Sequence, residues 1–335
     1  MNNKNDVTFL SAFGATGSSA VVDLIKEVKS YYVFESEFRL FVDPGGLINL
    51  RNALVDNWSI FQTDIAIKNF KKIVKSINRK GFGSYSILSH QRYLDDKFIK
   101  RTNEYIEEIT ELEYRGLWYG DDSLIMRQLN KYRLFHRNKF LMKPIYVGKI
   151  LEENEFNKIT ESYIRSLINY CLKKHNKNNF CFNENFASLF PFKILDMVPN
   201  SKMLVVIRDP KDVLADTMRV RWIAAPIRVD QFIQWESMIY NKWMKIEDEL
   251  KEKSLYNKNI KLIRFEDLII KYDTTVDKIF KFLGIKKSDH ILKKKYLDPE
   301  ISIKNVGQWK GMLLESDAEK IETEFKEFYN RYNYH

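Results

Sequence analysis

The chain has 335 residues, 44% of them hydrophobic and 14% aromatic, a composition that builds a globular core and excludes a disordered or fibrous chain. A net charge of +10 points to an anionic ligand, an acidic surface or nucleic acid, although no nucleic-acid-binding motif is present. Two cysteines without a Cys-x-x-Cys pattern and five scattered histidines argue against a metal site, and nothing approaches the ~20 apolar residues of a membrane-spanning helix.

From the N-terminus, residues 7–13 form an apolar strand candidate, followed by the small-residue loop Gly14 to Ser19 and a helix over 18–29. Val21, Val22, Leu24, Ile25 and Val28 fall on one face of that helix at spacings of three and four. Such a loop lets backbone N–H groups of Gly14, Ala15, Thr16 and Gly17 close around a phosphate. The Ser18 and Ser19 hydroxyls add donors at the helix start. A second strand is expected over 31–35. The stretch from about 50 to 190 reads as mostly helical and as an insertion that shapes an acceptor site. Within it, Lys68, Lys71, Lys72, Lys75 and Arg79 make a basic face opposite Ile67, Phe70, Val74 and Ile77. That face reads as solvated, or as a surface for an acidic glycan or a membrane. In the 180–186 run, phenylalanines alternate with amides; core packing accounts for the rings, while Asn183 and Glu184 could face an acceptor.

The most informative segment follows. Met203 to Ile207 is a β-branched apolar run of the kind a parallel sheet buries on both faces. Asp209 is a good helix N-cap and Pro210 suits the first helical position. The strand therefore delivers Arg208 to its carboxyl end beside the free N–H groups of a helix over 210–224, a place for an anion; the bland alternative is a pair with Asp212. Helix 229–252, strand 260–265 and helix 274–283 complete an alternation that predicts a parallel sheet covered on both sides. No linker rich in Pro, Gly or Ser divides it, so residues 1–335 read as a single domain. Two phosphate-competent turns suggest a ligand with two separate phosphate groups.

Together the two turns resemble the sulfotransferase family, which takes a sulfuryl group from 3′-phosphoadenosine-5′-phosphosulfate. The resemblance implies that Gly14 to Ser19 hold the 5′-phosphosulfate, and that Arg208, in the Arg-Asp-Pro-Lys-Asp-Val run 208–213, binds the 3′-phosphate. Residues 263–268 with 279–285, and the Gly-x-Trp stretch Gly307, Trp309 and Lys310, are similar to the family's later segments, the last closing over the nucleotide. The implied fold is a P-loop-like α/β three-layer fold with a central parallel sheet and a helical insertion. The product is adenosine 3′,5′-bisphosphate, and no metal is required. Departures mark a divergent branch: Ala15 stands where the family carries Lys or Arg, and Asp216, with Thr217 beside it, stands where a serine assists the 3′-phosphate. Where an Arg-Lys-Gly run is usual, residues 302–304 stand instead, leaving Lys304 and Lys310 as the nearest cations.

By the same resemblance, the base in carbohydrate-directed members is a carboxylate beyond the second strand, which selects Glu37, then Glu35; a structural Glu37–Arg39 pair is the plain alternative. The phenol-directed branch uses a histidine, for which His90 and His136 are the candidates. The expected acceptor is a carbohydrate or glycolipid, and not nucleic acid. Golgi members carry a membrane anchor that is not seen here, so the expected location is cytoplasmic, with room for peripheral membrane contact. The oligomeric state is open. Two rivals remain: an NAD(P)-binding extended short-chain dehydrogenase, through the Gly14–Ala20 spacing, and a non-catalytic nucleotide- or glycan-binding pseudoenzyme, through Ala15. The Tyr93/Lys97 and Tyr170/Lys174 pairs match the dehydrogenase pattern at the rate chance supplies. A kinase is disfavoured because the loop lacks a Gly-Lys-Ser/Thr ending.

Overall fold

A computed structural model describes residues 6–78, 89–116, 142–220 and 225–334. Five parallel strands form the central sheet: β1 (Val7–Ala12), β2 (Tyr31–Glu37), β5 (Asn179–Asn183), β6 (Lys202–Ile207) and β7 (Ile260–Arg264). Their order is β2-β5-β1-β6-β7. Alternation along the strands sends residues to two cores. Leu10, Val33, Cys181, Leu204, Val206 and Ile263 pack against α1 (Ser18–Lys26) and the later helices of that face. Phe9, Phe34, Phe180, Phe182, Met203 and Val205 join the larger core on the other side. The result is the three-layer α/β arrangement that alternating strands and helices require.

Among its described residues the 50–190 stretch is mostly helical, but it also carries strands. It contains α2 (Leu47–Arg51), a π-helical turn at Asn52–Asp56, α3 (Ile60–Ile77), α4 (His90–Leu94), α5 (Lys97–Ile109) and α6 (Glu153–His175). It also holds an antiparallel pair, β3 (Thr110–Gly116) with β4 (Lys143–Gly148), and ends by returning to the sheet as β5. The aromatic run is therefore a central strand: Phe180 and Phe182 fill one core while Cys181 fills the other. Part of the basic face on α3 is spent holding the hairpin. Lys68 Nζ pairs with Asp64 at 2.8 Å, Asp64 accepts the Tyr146 N–H, and Lys71 Nζ donates to the Tyr146 hydroxyl. Arg79 and His136 lie outside the described residues.

Between β5 and β6 lies α7 (Pro191–Met197), and beyond β6 follow α8 (Pro210–Val220), α9 (Val229–Glu252), α10 (Phe265–Ile270) and α11 (Tyr272–Leu283), then short turns and α12 (Glu315–Glu324) and α13 (Lys326–Tyr332). The first helix stops at Lys26, short of the expected 29, because Glu27 is turned inward. It is fully buried and accepts from the backbone N–H groups of Lys294, Tyr296 and Leu297 and pairs with His290 Nε2 at 2.6 Å. That side chain fixes the loop after α11 against the sheet. Among the described residues no helix is long and apolar enough to cross a membrane.

α9 buries a second carboxyl, Glu236, whose pKa burial pushes up to about 8 while the Tyr240 hydroxyl pulls the other way. The folded chain holds that proton where the unfolded chain, near its ordinary 4.5, has lost it. Stability from this group is complete below pH 4.5 and declines as pH rises toward about 8. Glu236→Gln should flatten urea-unfolding stability across that window, raising it at the alkaline end by something of the order of a few kcal/mol. A variant with the wild-type slope would mean that the carboxyl is ionised in the fold.

Candidate functional site

In the strand order, β1 leads through α1 to one side of the sheet and β6 leads to β7 on the other. The carboxyl ends of β1 and β6 thus form the switch point where open α/β sheets bind ligands. Both phosphate-competent turns lie there. Gly14, Ala15 and Gly17 have φ of 85°, 49° and 88°, so the backbone curls as an open loop. At Gly17 a Cβ would stand 2.4 Å from the Phe265 ring, so only glycine fits. Thr16 Oγ1 donates to Val206 O at 2.8 Å and pins the loop to the neighbouring strand. The N–H groups of Gly14 to Ser19 donate to no acceptor among the described residues.

Arg208 closes the gap between the turns. Its side chain is 3% exposed, its Nη1 donates to Ala15 O at 3.1 Å, and its guanidinium stacks on Phe265 at 4.8 Å. Nη2 donates to Asn305 O, two residues before Gly307. Nε has no partner among the described residues. The pair expected with Asp212 is not the one formed: Asp216, one helical turn further, stands 3.3 Å from Nη1 and is shared with Arg219. Thr217 turns its hydroxyl to Val213 O within its own helix and so directs no donor to the site.

Asp212 instead holds the Gly-x-Trp stretch. Its carboxylate is buried and accepts the N–H groups of Gly307 at 2.7 Å and Trp309 at 3.0 Å. Burial raises its pKa, with those two N–H groups opposing. Lys211 is buried against the Trp309 ring at 4.3 Å and pairs with Glu322; Lys310 lies exposed beside the other part of that indole, at 5.9 Å. Two further contacts reinforce the turn from behind. Asp209 accepts the Tyr329 hydroxyl at 2.6 Å, and Glu266 accepts both the Asp209 N–H and the Tyr334 hydroxyl. Sequence reasoning named Asp209 only as a cap and did not anticipate Asp212, Glu266 or the tyrosines; the aspartate in the Arg-Asp-Pro-Lys-Asp run was the available signal.

The proposed bases separate. Glu35 and Glu37 are both exposed on β2, yet Glu35 pairs with Lys26 at 3.5 Å on the α1 side. Glu37 is held by the Asn185 amide at the end of β5, across a register shift between Phe34 and Glu37. The Glu37–Arg39 pair is not formed, since Arg39 pairs with Asp43 at 2.6 Å. The Glu37 carboxyl is raised by desolvation although the residue is exposed overall, with Asn185 and Arg39 pulling down. Next to it, buried Glu184 is raised well above the ordinary carboxylate range by desolvation and leaves Oε2 without a partner among the described residues. His90 is fully buried among Phe34, Phe38 and Phe98, and its Nε2 bonds Phe38 O at 2.7 Å. That enclosure keeps it from an acceptor hydroxyl. No cluster of metal-ligating side chains occurs among the described residues.

The family model described as "Sulfotransferase family" matches residues 103–289. Three solved structures are similar in outline. The sulfotransferase domain from the Synechococcus PCC 7002 olefin synthase is 12% identical, covering 97% of this chain and 96% of that one, with a TM-score of 0.46. The sulfotransferase domain from the curacin biosynthetic pathway is 13% identical, covering 96% and 97%, with a TM-score of 0.44. Sulfotransferase STF9 from Mycobacterium avium is 8% identical, covering 99% and 77%, with a TM-score of 0.44. A comparison with curated proteins finds no match.

Asp212→Ala should release the 306–310 stretch. Hydrogen exchange at the Gly307 and Trp309 amides should accelerate at least tenfold, the cost of a bond to a charged acceptor being about 1.5–3 kcal/mol. Unchanged protection there would show that Lys211 and the Trp309 ring hold the segment without the carboxylate.

Proposed function

Because this chain belongs to the sulfotransferase family, we propose that it uses 3′-phosphoadenosine-5′-phosphosulfate and sulfates a hydroxyl of a carbohydrate, in a glycan or glycolipid. One observation carries the donor reading. Arg208 is a buried cation at the meeting of both turns and the Gly-x-Trp stretch, with Nε unpartnered. Buried polar groups normally find partners, so an orphaned guanidinium N–H beside a loop of unpaired backbone N–H groups fits an anionic ligand. The loop N–H groups of Gly14 to Ser19 suit the 5′ end of the donor and Arg208 the 3′ end. Arg208 also touches Ala15, which brings a cation to the loop position where the family's basic side chain is missing. Trp309, lodged over Lys211, supplies an aromatic face at the mouth.

When bound, the donor supplies an activated sulfuryl group with the bisphosphate as its leaving group. Glu37 takes the acceptor proton, and Asn185 orients its carboxyl by donating to Oε1. A raised pKa brings the carboxylate closer to working pH, which strengthens it as a base. Cys171 and Cys181 are both buried free thiols, as a reducing cytoplasm would leave them. A pseudoenzyme reading draws on Asp216, which stands where the resemblance calls for a neutral donor and sits on Arg208.

Thermal-shift measurements should show stabilisation by adenosine 3′,5′-bisphosphate and much less by NADPH or ATP; the reverse ranking would favour a dehydrogenase or kinase. Arg208→Ala should lower bisphosphate affinity at least tenfold, by loss of a charge-assisted pair of about 1.5–3 kcal/mol, and leave AMP much less affected. Equal losses for both nucleotides would place the arginine away from the 3′-phosphate.

Glu37→Gln should preserve bisphosphate binding and reduce turnover on the identified acceptor by roughly a hundredfold or more. In the wild type, activity should climb as pH rises through the raised Glu37 pKa, and the variant should lose that acid limb. If Glu37→Gln keeps full activity on that acceptor, the base lies elsewhere.

A further inference from the structure

Away from the sheet's carboxyl edge, α2, the π-helical turn and the start of α3 line an open surface cavity of about 450 Å³, within the size range of ligand pockets. Its chemistry differs from that of the rest of the chain. Charged residues make up 30% of the sequence, yet none lines this cavity. Half of the lining residues are carboxamides: Asn49, Asn52, Asn57, Gln62 and Asn69. The nearest charges satisfy one another, since Asp56 is paired with Arg51 at 2.8 Å and with Lys193 at 3.5 Å, and Asp64 with Lys68 at 2.8 Å.

The amides are partly oriented. Asn49 Oδ1 accepts the Gly45 N–H at 2.8 Å and Asn52 Oδ1 accepts Lys193 Nζ at 2.7 Å, which leaves both NH₂ groups as donors. The side chains of Asn57, Gln62 and Asn69 have no hydrogen-bond partner among the described residues, so each offers a donor and an acceptor. Gly45, at φ 89°, brings the loop against α3: a Cβ there would lie 3.0 Å from Asn69 O. The wall is also formed by a π-helical turn, an uncommon element that recurs at functional sites.

We propose that this cavity binds a neutral saccharide. Carboxamides both donate and accept, as sugar hydroxyls do, and Pro44, Ala53, Ile65 and Ala66 supply apolar surface between them for the less polar face of a pyranose. No charged side chain lines the cavity to pair with an ionic ligand, and Lys193, which reaches the Asn52 amide, is already shared with Asp56. The inference stands on this cavity alone and holds whichever donor or acceptor the sheet edge serves.

The test uses the full chain with cellohexaose, maltohexaose and chitohexaose as neutral probes and a heparin hexasaccharide as the charged one, followed by calorimetry and saturation-transfer NMR. At least one neutral probe should bind saturably, with no competition from adenosine 3′,5′-bisphosphate. The Asn57→Ala/Gln62→Ala variant should weaken it at least tenfold while its thermal unfolding and bisphosphate response stay as in the wild type. Asn69→Asp, which sets a negative charge on the wall, should weaken it as well. The inference is overturned if no neutral probe binds, if both variants bind as the wild type does, or if only the heparin probe is sensitive to these substitutions. Loss of bisphosphate binding with saccharide binding intact would count against the donor reading and leave this one standing.

Discussion

The site is organised around one buried charge. A guanidinium cannot shed its proton to escape a low-dielectric interior, so the structure around Arg208 must supply acceptors for most of its N–H groups. It does so from segments far apart in sequence: the Ala15 carbonyl of the first loop, the Asn305 carbonyl of the late segment and the Asp216 carboxylate of its own helix. Each of these fixes the position of the segment it comes from. The relation between the two turns is therefore set by the needs of one side chain, and the Phe265 ring beneath it admits the first loop only because residue 17 is glycine.

A second layer of carboxylates does for the late segment what Arg208 does for the loops. Asp209, Asp212 and Glu266 each accept a hydrogen bond from an element that follows them in the chain, Tyr329, the Gly307 turn and Tyr334 respectively. A buried carboxylate left without donors would cost several kcal/mol, so the Gly307–Trp309 turn satisfies Asp212 and Tyr334 satisfies Glu266. Asp216 has a different character. It is shared between Arg208 and the exposed Arg219, and an anion entering beside Arg208 would compete with it for the same Nη1.

Much of this was legible in sequence where local chemistry decides structure. Met203 to Ile207 could only be a buried strand, Pro210 could only begin a helix, and the small residues 14–19 announced a loop of positive φ. The misreadings share a cause. β5 has two phenylalanines and a cysteine, flanked by asparagines, with no β-branched residue, so its strand character comes from the neighbours it fits between and not from its own propensity. β3 does alternate Glu111, Glu113 and Arg115 with Leu112 and Tyr114, but it is exposed on both faces, so no buried stripe accompanies that period and its strand character comes from pairing with β4. Partner choice was likewise invisible: that Arg208 takes Asp216 and leaves Asp212 to the Gly-x-Trp turn depends on a segment some hundred residues downstream, and that Glu37 and Glu35 face different surroundings depends on a register shift in β2.

The strand order has a consequence for how the chain reaches this state. β1, buried at every residue, does not pair with β2, its neighbour in the chain; its partners are β5, where Val7 meets Phe180, and β6, where Thr8 meets Lys202. During synthesis this apolar strand emerges early and waits for more than half of the chain before either edge is covered. The helix that follows it can form locally, but the sheet cannot nucleate from the N-terminal side. Slow, topology-limited folding follows, with a sticky strand exposed in the interval. Recovery of active protein should thus depend more on chaperone supply and growth temperature than on the stability of the finished fold.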